Sequence, residues 1–335
     1  MPAFLFLFLL LLISSLLKDK FLRFQANQPR GLVRPFLHFY VISTIILRMA
    51  ENLFLSQPEQ HKLSEARVLI AGCGVGSWTA EFLVRSGIGV EGGILLADPG
   101  RVNRRNIQRQ NYTVGDLGVR KPVALDQRLR AINPGVNTRF FLGGVFANNV
   151  EDVCDGCDVI IDAIDISRPG DEIVLHREAQ KRNIPVVTGF DIGYGARTYI
   201  FDYRNPEAMT LCGLWGLSDD ITPDSVQKLP YLALVAQVLL GPVGRLFDNF
   251  TQVQSYYDRL VDERMRDILI QLPKEMHTVV QRLRTGELDY TPQTLIAATT
   301  HGAMQATIVK DLILGKPVVT APEFREIHIP GQISS

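Results

Sequence analysis

The stretch ARVLIAGCGVGSWTAEFLVRSGIGVEGGILLADPGRVNRRNIQRQ, residues 66–110, decides the fold. It opens on an apolar run, 68–71, followed by glycines at alternate positions, Gly72, Gly74 and Gly76. Apolar Ala80, Phe82, Leu83 and Val84 then recur at helical spacing up to a stop at Gly87, and a second apolar run, 94–97, ends in Asp98. Strand, glycine turn, helix, strand and acid in that order make the first βαβ unit of a nucleotide-binding α/β fold. The glycines let the backbone approach a phosphate, and the helix N-terminus supplies aimed N–H groups and a partial positive charge. Asp98 is placed to accept hydrogen bonds from ribose hydroxyls. The G-x-G-x-G spacing is one residue shorter than the dinucleotide fingerprint, so the glycines leave the nucleotide open.

The residues after Asp98 narrow the choice. RVNRRNIQRQ and then GVRKP carry Arg101, Arg104, Arg105, Arg109, Arg120 and Lys121, with Asn106 and Gln110 among them. Such a density of guanidinium and amide groups beside a phosphate turn suits a triphosphate with developing charge better than a pyrophosphate already held by backbone.

Five pieces in this order, GCGVGSW (72–78), LADPGRVNRRNIQRQ (96–110), GVRK (118–121), INP (132–134) and DVIIDAID (158–165), resemble the ubiquitin-activating-enzyme-like adenylyltransferases, the ThiF/MoeB/HesA group. The resemblance covers about 52–201, with a weaker echo at 301–315; residues 74–89 are also similar to the branch acting on a modified tRNA adenosine. It implies attack of a carboxylate on the α-phosphate of ATP, with release of pyrophosphate. By resemblance, Asn106, Arg109 and Gln110 contact phosphate and the metal surroundings, Lys121 the phosphates, and Asp165 holds Mg²⁺. Asp162 reads as structural. The implied acceptors are the C-terminus of a small ubiquitin-like or sulfur-carrier protein, a peptide, or a tRNA group, and the implied assembly is a homodimer. An NAD(P)-linked oxidoreductase and a non-catalytic nucleotide-binding partner subunit are the alternatives.

Four departures bear on activity. The glycine turn is short, Gly100 stands where an acid is usual, and Ile166 stands where Asn is usual. No Arg sits in an obvious arginine-finger position before the first strand; Arg48 is the candidate, and Arg67 adjoins the strand itself. Cys154 and Cys157 form the lone C-x-x-C pair, so they read as packing and no zinc is expected. Cys212 is the candidate thioester nucleophile. His176, His277, His301 and His328 are scattered without ligand spacing.

The 335 residues balance 35 Lys and Arg against 35 Asp and Glu, which argues against a global field for nucleic acid or membrane. Four cysteines without a framework suggest a reducing compartment. Residues 3–17 are almost wholly apolar but fall short of the roughly 20 that span a bilayer. They read either as a membrane anchor or as an over-extended start, with Met49 as the working one. ATP chemistry places the protein in the cytoplasm in both cases. The expected division is an apolar segment at 1–48, an ATP-binding core at 49–202, and a substrate and dimerisation region at 203–330.

The patterns predict helices near 56–64, 76–87, 122–132, 172–182, 232–240 and 294–314, and an amphipathic stretch over 250–283. Strands are expected at 138–142, 159–164 and 185–189, with an antiparallel one at 198–202. The fold class is α/β: a Rossmann-like, mostly parallel sheet with helices on both faces, plus a helical and antiparallel C-terminal part.

Overall fold

The computed structural model describes residues 54–229, 234–235, 269–270, 272, 274–288 and 292–327. The two apolar N-terminal runs, Arg48, and most of the stretches expected at 232–240 and 250–283 lie outside the described residues. Among the described residues, no helix is long and apolar enough to cross a membrane.

Ser56 caps α1 (Gln57–Glu65) in a capping box with Glu59, and Pro58 stands in its first turn. Then follow β1 (Arg67–Ala71), α2 (Gly76–Arg85) and β2 (Gly93–Ala97). After the basic loop, with its short α3 (Arg104–Ile107), come α4 (Lys121–Ile132), β3 (Thr138–Phe141) and β4 (Val159–Asp162). Helix α5 (Pro169–Lys181) leads into β5 (Val186–Ile192) and β6 (Gly195–Phe201). The C-terminal part holds α6 (Lys274–Arg284), α7 (Leu295–Leu314) and β7 (Phe324–Ile327).

The seven strands form one sheet in the order β3-β2-β1-β4-β5-β6-β7. The first five run parallel; β6 and β7 join antiparallel. Period-2 alternation sends Val68, Ile70, Ile94 and Leu96 to one face, against α2, α4 and α7. Leu69, Ala71, Leu95 and Ile160 go to the other, against α5 and α6. Central strands buried on both faces require continuous apolar runs, and β1, β2 and most of β4 are such runs.

Three boundaries differ from expectation. Strand β5 continues past Gly189 to Ile192 and turns at Gly193 (φ +61°) into β6, so the two form one hairpin. The charge of Asp191 hides this continuation in the sequence; His301 pairs with it inside the fold. Helix α5 begins at Pro169, because a proline suits a first turn whose N–H groups lack intrahelical partners. Strand β7 goes unforeseen, since FREI lacks alternation; Arg197 bonds Glu326 and stacks on Phe324, which seats it on the edge.

Candidate active site

A cavity of about 320 Å³ opens at the C-terminal edge of the parallel strands, where open α/β sheets bind ligands. Gly72, Gly74, Asp98, Arg109, Gln110, Lys121 and Asp165 all line it. Residues spread over nearly a hundred positions thus meet because β2, β1 and β4 are neighbours in the sheet.

Gly72 has a φ of +97°, and a Cβ there would stand 2.1 Å from the carbonyl oxygen of Ala163. The turn therefore lies directly against the chain leaving β4. Gly74 faces the Gln110 amide, with a Cβ position 3.1 Å from Nε2. Gly76 does not line the cavity; a Cβ there would meet Ile70 Cγ2 at 2.7 Å, so it serves helix–sheet packing. No side chain caps α2, and the N–H groups of Val75 and Gly76 meet no acceptor among the described residues. They are free to hold an anion.

The buried Asp98 carboxylate accepts the Cys73 N–H at 2.8 Å and the Gly100 N–H at 2.6 Å. Lys121, the first residue of α4, brings its Nζ to 3.8 Å from Asp98. A Cβ at Gly100 would lie 2.8 Å from Asp98 Oδ1, so the glycine lets its N–H come close to that carboxylate. Arg109 donates from Nε to Gln293 Oε1 at 2.8 Å and from Nη1 to the Arg105 carbonyl at 2.9 Å. Its own carbonyl accepts the Trp78 indole N–H at 2.8 Å, tying the basic loop to α2. Gln110 is buried beside the glycine turn, and its Oε1 has no partner among the described residues.

Asn106 is not part of the cavity wall. It completes a capping box with Asn103 at the start of α3: its Oδ1 accepts the Asn103 N–H at 2.9 Å, and its own N–H is accepted by Asn103. Its Oδ1 is engaged in this local cap.

Asp165 lies on the loop after β4 and is exposed; Oδ1 accepts the Ser167 N–H at 2.9 Å. A buried chain holds the end of β4 beneath it. The Asp162 carboxylate accepts the Ile164 N–H at 3.1 Å and meets His176 Nε2 at 3.1 Å, while His176 Nδ1 lies 2.7 Å from the Tyr203 hydroxyl. The acceptor-only carboxylate assigns the proton to Nε2, leaving Nδ1 to accept from Tyr203. Asp162 is thus buried and engaged by the fold's own hydrogen bonds. Glu172 on α5 is fully buried, with one oxygen unpartnered among the described residues; burial, then the charges of Asp162 and Asp165, push its carboxyl well above the usual range. Burial disfavours its charged form.

A second histidine–aspartate pair borders the cavity and has no counterpart in the sequence reading. His301 on α7 places Nδ1 2.9 Å from Asp191 Oδ1, and both side chains are buried. The sequence signals were His301-Gly302 and the isolated Gly189, since Gly302 seats the helix on Trp78 and Gly189 makes room for the ring.

Cys212 is not presented to the cavity. It is buried in the short helix Leu211–Leu214, and burial pushes its thiol up to about 11. Thioester chemistry needs an accessible thiolate. Cys154 and Cys157 are buried in the core, both thiols pushed up to about 12 by burial. Arg67 lies at the opposite end of β1 from the cavity, held by Asp158 through its N–H and by the Gly92 carbonyl.

Comparisons with known proteins agree with this architecture. The chain is 36% identical over 141 residues to the sulfur carrier protein ThiS adenylyltransferase of Bacillus subtilis, covering 41% of this chain and 40% of that protein. It is 34% identical over 128 residues to the tRNA threonylcarbamoyladenosine dehydratase of Escherichia coli, covering 37% and 46%. The matched part thus spans about half the length of these relatives or less. Among solved structures, PaaA shares the fold with a TM-score of 0.51 at 17% identity, over 90% of this chain and 85% of that one. The E. coli MccB complex with MccA-N7isoASN gives 0.51 at 15% identity, over 80% and 65%. The ThiF family matches residues 48–333, nearly all of the chain beyond its apolar start, and the protein belongs to that family.

Proposed function

We propose that the protein is an ATP-dependent adenylyltransferase that activates a carboxylate as its acyl-AMP and releases pyrophosphate. The observation that carries this reading is the convergence of the glycine turn, Asp98, Arg109, Gln110, Lys121 and Asp165 on one cavity. The open N–H groups at the start of α2 and the Lys121 ammonium suit the phosphates, and the remaining lone pairs of Asp98 suit ribose hydroxyls. Arg109 and Lys121 offset charge that grows on the phosphates, so catalysis is mostly positioning and electrostatics. Mg²⁺ keeps several waters and takes one or two carboxylates plus phosphate oxygens. The exposed Asp165, with one oxygen held by Ser167, fits that demand, and the ion would neutralise phosphate charge when bound.

The names of the relatives support carboxylate or tRNA acceptors: a ubiquitin-like or sulfur-carrier C-terminus, a peptide, or a tRNA group. A homodimer acting in the cytoplasm is the corresponding assembly. The second reading is a nucleotide-binding partner subunit without turnover.

ATP–pyrophosphate exchange, with candidate acceptors supplied, separates the two. Acceptor-dependent exchange that disappears in Asp165→Ala establishes adenylation. ATP binding without exchange under any acceptor establishes the partner subunit, and NAD(P) binding in place of ATP defeats both.

A further inference from the structure

Beyond its charged half, the cavity has an apolar lobe. Phe190 and Ile192, on the β5 extension, face Met276, Val280 and Leu283 on α6, and all five line the same cavity as Asp165. The α6 residues recur at i, i+4 and i+7, one face of the helix. Ile192, Met276 and Val280 are buried, whereas Phe190 and Leu283 are partly exposed to the cavity side. The Phe190 ring is held edge-to-face against Tyr199, with centroids 6.4 Å apart, so this wall is fixed.

Sheet order locates the lobe relative to the chemistry. Along the C-terminal edge, Asp98 follows β2, the glycine turn follows β1, Asp165 follows β4, and Phe190 and Ile192 end β5. With ribose at Asp98 and phosphate at the glycine turn, the lobe lies past Asp165, on the side away from the nucleoside. A pyrophosphate group would lose hydration there without compensation. An apolar group would gain about 25 cal/mol for each Å² it buries.

We propose that this lobe receives a large apolar group adjoining the carboxylate that is activated, so that the acceptor is an apolar carboxylate, such as a peptide ending in a bulky aliphatic or aromatic residue. This rests on the adenylation reading for the placement of the carboxylate. A glycine-terminated acceptor has nothing to fill the lobe and is disfavoured.

Straight-chain carboxylates from propanoate to octanoate serve as probes, titrated calorimetrically into the full chain with and without a saturating non-hydrolysable ATP analogue. The expected result is a Kd that falls about fourfold per added methylene until the lobe is full. The fall persists with the analogue bound. Leu283→Glu, at the partly exposed rim, abolishes the chain-length dependence and leaves analogue affinity unchanged; Leu283→Ala weakens the dependence without adding charge. A flat series in the wild type, a slope that survives Leu283→Glu, or competition between carboxylate and analogue overturns the proposal. A slope lost in Leu283→Glu but no analogue binding at all sinks the adenylation reading and leaves the apolar lobe standing.

Discussion

The imidazole of His301 occupies the space that a side chain on Gly189 would need: a Cβ at residue 189 would stand 1.8 Å from His301 Nε2. The same ring holds Asp191, two residues further along β5 and on the same face of the strand. One glycine and one aspartate at period-2 spacing therefore form a seat for a histidine more than a hundred residues away. The seat fixes α7 against the hairpin that walls the cavity.

Gly189→Ala is expected to cost about 3 kcal/mol of stability, because the ring cannot leave without abandoning Asp191 in the interior. In a His301→Ala background the same change should cost about 1 kcal/mol or less, since the obstruction is gone. Urea unfolding of the four proteins in this double-mutant cycle measures the coupling. Equal costs in both backgrounds would show that the ring moves aside freely.

Gly72 is under a different constraint, with backbone on both sides of the contact. Its φ of +97° disfavours any Cβ, and the obstructing atom, the Ala163 carbonyl oxygen, cannot rotate away as a side chain would. Gly72→Ala should lose about 3 kcal/mol or more and weaken nucleotide binding at least tenfold in whatever folds. Nucleotide affinity equal to wild type would mean that the turn does not carry the phosphates.

Local chemistry made the nucleotide half of this fold legible. Apolar runs named β1, β2 and β4, the glycines named the turn, and Asp98, Lys121 and Asp165 reached the cavity that the pattern implied. Long-range compensation stayed hidden. Asp191 interrupts its strand in the sequence because its partner, His301, arrives from α7. Gly76 packs against Ile70 while its N–H stays open toward the cavity, and the Asn106 Oδ1 caps α3, neither of which the motif alone states. A motif states which residue occurs, but the neighbouring atoms decide whether it faces a ligand or the fold.

Asn106 gives a direct test of that distinction. Asn106→Ala should cost about 1 kcal/mol, the usual effect of losing a cap contact, and change nucleotide affinity less than twofold. Gln110→Ala, removing an amide that faces the glycine turn, should cost roughly tenfold in affinity, as expected for a hydrogen bond to a charged group. Isothermal titration with ATP on both variants, next to urea melts, separates the two roles. A tenfold loss in Asn106→Ala with unchanged stability would restore it to the site.

Cys212 should behave as packing. With its thiol pushed up to about 11, only on the order of one molecule in a thousand carries the thiolate at pH 8. Iodoacetamide should therefore leave Cys212 unmodified in the native protein and label it after unfolding. Cys212→Ala should retain full ATP–pyrophosphate exchange at a stability cost of about 1 kcal/mol. Rapid native labelling, or trapping of an acyl group on this residue, would make it a nucleophile after all.

Glu172 imposes a pH dependence of definite sign. Its carboxyl is raised well above the ordinary value of 4.5, first by burial and then by Asp162, Asp165 and Asp171. The folded state therefore holds a proton that the unfolded chain releases once pH exceeds 4.5. The stabilisation linked to that proton is fully present below pH 4.5 and is lost progressively as pH rises toward the folded value. Glu172→Gln keeps the shape and removes the titration. The difference between variant and wild type should stay flat below pH 4.5, and the variant should gain stability relative to the wild type as pH rises above it. Subtracting one urea series from the other cancels the titrations that both proteins share. Parallel curves across that range would show that Glu172 ionises in place, with the unpartnered oxygen reaching solvent or a cation. A difference growing toward acid pH would reverse the assignment, making Glu172 a stabilised carboxylate in the folded protein.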